Sequence, residues 1–254
     1  MSFDLATLSE TVADAVPDRE ALVWRDRRFT YAELKARTRR LANHLVAAGL
    51  GCRTERGELA GHESGQDHLA LYLHNGNEYL EGMLGAYKAR VAPFNVNYRY
   101  VEEELVYLLN DAKARAIVYH DCFAPRVAAV RDQVPTLEVF LQVADDSGEA
   151  LLDGAVRYED AIAAASAERP DVEWSPDDLY ILYTGGTTGM PKGVLWRQAD
   201  ILVAALGGRD AATGEVFDSL ERFAERASAG ALGNGVPMRV LPSPPFMHGA
   251  GHWI

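Results

Sequence analysis

Residues 184–193 read TGGTTGMPKG, which places four glycines, three threonines and one lysine in ten positions. Glycines let the backbone approach a ligand closely and turn successive N–H groups toward one anion. Thr184, Thr187 and Thr188 add hydroxyl donors, and Lys192 adds a positive charge that phosphate oxygens can use. A purely structural turn needs one or two glycines and gains little from three hydroxyls and a lysine. The segment therefore predicts a polyphosphate cradle. It is not the common nucleotide P-loop, because Lys192 is followed by Gly193 rather than by Ser or Thr, and it contains no G-x-G-x-x-G dinucleotide fingerprint.

A second chemical candidate is His248, in the stretch LPSPPFMHGAGHWI over 241–254. A histidine between a Pro-Pro turn and glycines is by itself more readily explained by local structure than by function. The two cysteines, Cys52 and Cys122, have neither metal-ligand spacing nor a disulfide framework. The histidines form no HExxH pair, so most are expected at the surface or in local hydrogen bonds, and no metal site is assigned.

The elements that must position the cradle follow from periodicity. LYILY, residues 179–183, is compact, aliphatic and aromatic, and predicts a buried strand feeding directly into the glycine loop. Upstream, residues 20–30 read as a hairpin. Thr30 and Glu33 then form a capping-box pattern for a helix over 31–48, with Leu34, Leu41, Leu45 and Val46 as its apolar stripe and Gly49 as its stop. Residues 51–68 are polar and glycine-rich and predict a long loop of the mobile kind. Strands at 69–73, 114–119 and 137–143 and a short apolar segment at 91–94 alternate with helices near 77–90, 101–111 and 158–166. That alternation predicts an α/β fold of layered, mostly parallel sheet with helices on its faces. Tyr98, Arg99 and Tyr100 are read as packing at a sheet-to-helix junction rather than as a recognition patch.

With 254 residues, 48% hydrophobic and 24% charged, the chain can bury a real core. Its net charge of −12 argues against a general nucleic-acid binder. No apolar run is long enough to span a bilayer, and the first ten residues lack a basic segment followed by an apolar core. A cytoplasmic location is the expectation, with peripheral membrane contact left open.

YTGGTTGMPKGV, Tyr183–Val194, closely resembles the signature loop of the adenylate-forming superfamily, which includes acyl-CoA synthetases, peptide-synthetase adenylation domains and luciferases. The resemblance implies a two-step reaction: a carboxylate attacks the α-phosphate of ATP to give an acyl-adenylate and pyrophosphate, and coenzyme A then displaces AMP. It implies phosphate-binding roles for Thr184, Gly185, Gly186, Thr187, Thr188, Gly189 and Lys192, with Lys192 and Thr184 carrying the catalytic contribution. It also implies ATP with Mg2+ and coenzyme A as co-substrates. The segment containing His248 resembles the one bordering the acyl substrate in that family, which implies that His248 lines the carboxylate pocket while Phe246 and Met247 shape its approach. Residues 75–100 resemble the family's early helix and the turn after it.

After Val194 the loop continues as LWRQADILVAALGGRDAATGE, and with PPFMHGAGHW this resembles the actinobacterial fatty-acyl and steroid side-chain ligase branch. A large apolar carboxylic acid is the implied substrate. Residues 1–170 are expected to form the first part of an N-terminal AMP-binding domain. Residues 171–254 are expected to supply its phosphate loop and the start of its acyl pocket. The resemblance spans the chain but only the first half of such an enzyme. The later ribose-binding, hinge and C-terminal lysine motifs have no counterpart, so the C-terminal domain is expected to be absent and the chain alone weak or inactive. An interrupted sheet predicts self-association or a complementary polypeptide. The alternative expectation is a nucleotide-responsive interaction or regulatory module that has lost catalysis.

Overall fold

A computed structural model describes residues 2–185, 189–210, 213–230 and 236–252. Asp4 opens the first helix, α1 (Leu5–Ala15), by accepting from the Thr7 amide at 2.6 Å. The expected hairpin is present, with β1 (Glu20–Trp24) antiparallel to β2 (Arg27–Thr30). Thr30 then caps α2 (Tyr31–Ala47): its hydroxyl accepts from the Glu33 amide at 3.2 Å, and the Glu33 carboxylate accepts from the Thr30 amide at 2.8 Å. Gly49, at a φ of 78°, supplies the left-handed residue that ends this stretch.

Residues 51–67 form the expected loop, but it is tied down. The Arg56 guanidinium donates to the carbonyls of Ala60, Gly61 and Glu63, and the Asp67 carboxylate accepts from the Gly51 amide and the Arg53 guanidinium. Beyond it the chain alternates through β3 (His68–Tyr72), α3 (Asn77–Lys88), β4 (Ala92–Asn95), α4 (Glu102–Asp111), β5 (Ala114–His120), α5 (Ala124–Val130), β6 (Val139–Val143), β7 (Val156–Arg157) and α6 (Tyr158–Ala164). It closes with β8 (Leu179–Thr184), β9 (Lys192–Arg197), α7 (Gln198–Ala205), α8 (Leu220–Ala229) and α9 (Gly249–His252).

Seven strands form one sheet in the order β7-β6-β5-β3-β4-β8-β9, parallel throughout except where β9 turns back antiparallel to β8. Pleating sends Ala70, Tyr72, Ile117 and Tyr119 to one face, where they meet Leu105, Leu108 and Val127 of α4 and α5. Leu69, Leu71, Ala116 and Val118 go to the other face, against Leu41 and Leu45 of α2 and Ala86 of α3. Both faces are covered, as a parallel sheet requires. A third apolar cluster joins Tyr180 and Leu182 of β8 to α1, α7 and α8.

Two helices are shorter than periodicity predicts. The one expected to reach residue 90 stops at Lys88 because Arg90 takes a positive φ of 56°, and the one expected to reach 166 stops at Ala164. The stretch following Val194, read as a continuation of the loop, is strand β9 and helix α7. Helices α1, α5 and α8 also go beyond the sequence reading. Tyr98 and Tyr100 pack against the α4–α5 core, and the Tyr100 carbonyl accepts from the Tyr72 hydroxyl, as the packing interpretation expects.

α1 is locked to the scaffold by charge. Lys88, 1% exposed, places Nζ 2.7 Å from the Glu10 carboxylate and donates to Thr38 Oγ1 at 2.9 Å, while Arg39 Nε donates to Glu10 at 2.9 Å. Burial pushes Lys88 down to about 8 against the opposing pull of Glu10. Burial works the other way on Glu10, but hydrogen bonds from Arg39 and the charge of Lys88 win and bring it down to about 2.

Candidate functional site

The glycine loop bridges two antiparallel strands, and its stems are in register: Thr184 closes β8 directly opposite Lys192, which opens β9. Directly opposed residues in an antiparallel pair send their side chains to the same face. By alternation that is the face of Tyr180, Leu182 and Trp196. The Thr184 hydroxyl and the Lys192 ammonium therefore emerge side by side at the mouth of the hairpin, and both residues are exposed. Lys192 makes no ion pair among the described residues.

Two glycines here are required by geometry. Gly189 has a φ of 126°, in the region that favours glycine, and a Cβ on Gly193 would lie 2.9 Å from the Tyr183 ring. That ring is fixed, because the Tyr183 hydroxyl donates to Asp111 Oδ2 at 2.7 Å; burial, reinforced by this carboxylate, pushes the phenol well above its ordinary range. Gly185 and Gly189 are exposed. Gly186, Thr187 and Thr188, assigned to the cradle from the sequence, lie outside the described residues.

The strands β3, β4 and β8 are parallel neighbours, so their carboxyl ends open on one edge of the sheet, where ligands of open α/β sheets bind. Asn95 is the last residue of β4 and is 5% exposed. Its Nδ2 donates to the Tyr183 carbonyl at 2.9 Å and to the Met247 carbonyl at 2.6 Å, while its Oδ1 accepts from the Tyr183 amide at 2.8 Å. One side chain thus touches the residue before Thr184 and the residue before His248. Asn75, just past β3, holds the same segment from the other side: Oδ1 accepts from the Phe246 amide at 2.7 Å.

Phe246 and Met247 are buried, the former with its ring centroid 5.4 Å from that of Tyr79. They anchor the segment, and His248 is left exposed beside the loop stem, its amide donating to the Pro245 carbonyl in a tight turn. Four residues on, His252 faces inward. Its Nδ1 lies 2.8 Å from the Tyr180 hydroxyl, and burial lowers its pKa to about 4, which keeps the imidazole neutral. Sequence reasoning singled out His248 but missed Asn75, Asn95 and the Tyr180–His252 pair. Nothing local marks those residues, since their partners lie far along the chain.

Among the described residues no group of three or more His, Cys, Asp or Glu side chains is arranged to hold a metal, and no helix is long and apolar enough to cross a membrane. Cavities of about 320 Å³, lined by Phe3, Leu202, Phe217 and Phe223, and about 390 Å³, lined by Cys52, Arg53 and Arg90, are not lined by loop residues. The loop stem and the His248 turn instead form an open edge that carries the exposed Thr184 hydroxyl and the Lys192 ammonium, which among the described residues makes no ion pair, an arrangement suited to an anionic ligand arriving from solvent.

The family model described as AMP-binding enzyme matches residues 9–222. The medium-chain acyl-CoA ligase Mig of Mycobacterium avium is 54% identical over 252 residues, covering 99% of this chain and 45% of that protein. The medium/long-chain-fatty-acid–CoA/3-oxocholest-4-en-26-oate–CoA ligase of Mycobacterium marinum is 41% identical, covering 98% of this chain and 43% of that protein. The chain thus spans less than half the length of these curated relatives. Among solved structures, the inhibitor-bound N-terminal domain of FACL13 from Mycobacterium tuberculosis superposes with a TM-score of 0.66 at 27% identity, covering 84% of this chain and 48% of that one. The anthranilate CoA ligase AuaEII, solved with anthranoyl-AMP, shares the fold with a TM-score of 0.69 at 21% identity, covering 82% of this chain and 39% of that one. A glycine-threonine loop on a parallel-sheet edge, a matching family model and close relatives of one kind agree: this chain belongs to the AMP-binding enzyme family and corresponds to the N-terminal portion of its members.

Proposed function

We propose that the chain is the nucleotide-binding portion of an ATP-dependent acyl-CoA ligase acting on a fatty or other large apolar acid. In the first step a carboxylate oxygen bonds to the α-phosphorus of ATP as the bond to pyrophosphate breaks. In the second, the coenzyme A thiol gives up its proton, its sulfur bonds to the acyl carbon, and AMP leaves. Thr184, Gly185, Gly186, Thr187, Thr188, Gly189 and Lys192 are the residues proposed to hold the β- and γ-phosphates. Charge grows on the departing pyrophosphate, so the Lys192 ammonium and the Thr184 hydroxyl would favour the transition state over the bound ground state. His248 would border the reacting carboxylate, with Phe246 and Met247 shaping its approach from their buried positions. Mg2+ would enter as the substrate's own ion on the triphosphate, which suits a loop whose donors are hydroxyls, amides and an ammonium.

The observation that carries this reading is the reach of Asn95. It brings Tyr183, which leads into the glycine loop, and Met247, which precedes His248, to within one side chain of each other although they are far apart in sequence. The two sequence portions, 1–170 and 171–254, are read as parts of one domain because a single sheet runs through both. The names of the relatives support the substrate class, which extends from medium-chain acids to the 3-oxocholest-4-en-26-oate side chain.

The test is ATP–pyrophosphate exchange with Mg2+ and a panel of medium-chain, long-chain and steroid side-chain acids, run on this chain and on a longer protein containing it. The expected result is acid-dependent exchange in the longer protein, much weaker exchange in the 254-residue chain, and a loss of roughly 100-fold or more for Lys192→Ala. ATP binding with no acid-dependent exchange in either protein would favour a nucleotide-responsive module instead.

A further inference from the structure

Every polar atom of the Asn95 side chain is used. Two donors on Nδ2 face two carbonyls, and Oδ1 faces one amide, so the amide orientation is fixed by its partners: the reversed group would set oxygen against both carbonyls. Its three bonds join three pieces of chain, namely the end of β4, the end of β8 before the glycine loop, and the backbone before His248. Asn75 holds the histidine segment, accepting from the Phe246 amide and donating to the Pro244 carbonyl, and among the described residues makes no bond to β8. A further link, between Tyr180 and His252, attaches the far end of that segment three residues before Tyr183. Among the described residues, a direct polar path from the loop stem to the backbone before His248 runs through the buried Asn95 amide.

We infer that Asn95 is a positioning residue that transmits occupancy of the phosphate loop to the placement of His248, so that nucleotide binding orders the edge where the acid must sit. The inference rests on the nucleotide-binding reading above. A ligand that stiffens the Thr184–Gly185 backbone restrains the Tyr183 carbonyl and amide. Both bonds from Asn95 to Tyr183 then restrain the amide plane, and the remaining Nδ2 hydrogen restrains Met247. By linkage the coupling is reciprocal: an acid held by His248 would favour nucleotide to the same degree.

Amide hydrogen exchange on the whole chain reads this directly, with Mg·ATP as the probe. In the wild type, ATP is expected to slow exchange at Thr184 and Gly185 and also at Phe246 and His248. Asn95→Asp keeps the volume and the acceptor for the Tyr183 amide but loses both donors; exchange at Phe246 and His248 should rise by about tenfold without ligand, and ATP should now protect the loop amides alone. Asn75→Ala loosens the same segment without touching β8, so its Phe246 amide should exchange faster while ATP still protects His248. Should Asn95→Asp fail to fold, Asn75→Ala and the wild type still decide the matter. Protection of the loop without protection of His248 in the wild type overturns the inference, as does loss of transmission in Asn75→Ala or its persistence in Asn95→Asp. An absence of ATP protection anywhere in the wild type is a different outcome, and it removes the nucleotide-binding reading together with the coupling built on it.

Discussion

Two lysines show how differently the scaffold and the loop mouth use charge. Lys88, at the end of α3, is buried and consumed: Glu10 and Thr38 bind it, Arg39 shares the same carboxylate, and nothing is left over for a ligand. Lys192, at the start of β9, is exposed and, among the described residues, in no ion pair. The same contrast runs through the arginines of the scaffold, where Arg37 is bidentate to Glu81 and Arg90 is bidentate to Asp178. In a chain with a net charge of −12 these scaffold cations are neutralised locally, whereas Lys192 stays available to an anion.

The contrast can be broken from the scaffold side first. Glu10→Ala would leave the Lys88 charge buried without its carboxylate, and should cost about 3–5 kcal/mol of unfolding free energy, read from the denaturant midpoint. The same pair sets an acid limb. Because the folded pKa of Glu10 lies near 2, below its ordinary value of 4.5, its contribution is complete above about pH 4.5 and is lost as pH falls toward 2. Glu10→Gln should flatten stability across that window. Gly193→Ala would drive a methyl into the Tyr183 ring at the loop stem and should cost about 1–3 kcal/mol, with the Tyr183–Asp111 bond as its reporter. Thr30→Ala removes one side of the capping box of α2 and should cost about 1 kcal/mol. Lys192→Ala should change stability by no more than about 0.5 kcal/mol, since no described partner depends on it. A large stability loss at Lys192 would erase the distinction between the two lysines.

What could be read from the sequence is what depends on near neighbours. The Thr30–Glu33 box, the run of Leu179–Tyr183 and the alternation behind a parallel sheet all act within a few residues, and all are present. The loop was visible because its chemistry is packed into ten positions. Asn95 was not, because it is one asparagine whose partners lie 88 and 152 residues away. His248 and His252 look alike in a run of glycines, and only the turn at Pro245 and the burial of Phe246 send one outward and the other against Tyr180. β9 was hidden by its own motif: Lys192 and Gly193 read as the end of a loop, although their backbone pairs with Thr184 and Tyr183.

The docking of α1 has a consequence in time. Its Leu5 amide is accepted by the side chain of Gln198, 193 residues later, and Arg19, just beyond the helix, reaches the Ala227 carbonyl at the end of α8. At ribosomal rates of about 5–20 residues per second, the first helix waits roughly 10–40 s before its partner is even synthesised. Over that interval α1 can lean on α2 and α3 through the Glu10 and Asp14 ion pairs and through the apolar cluster that Leu5 and Ala6 share with Tyr87, so these contacts are the early tether. The sheet edge that carries the loop is the last part of the fold to receive its N-terminal brace.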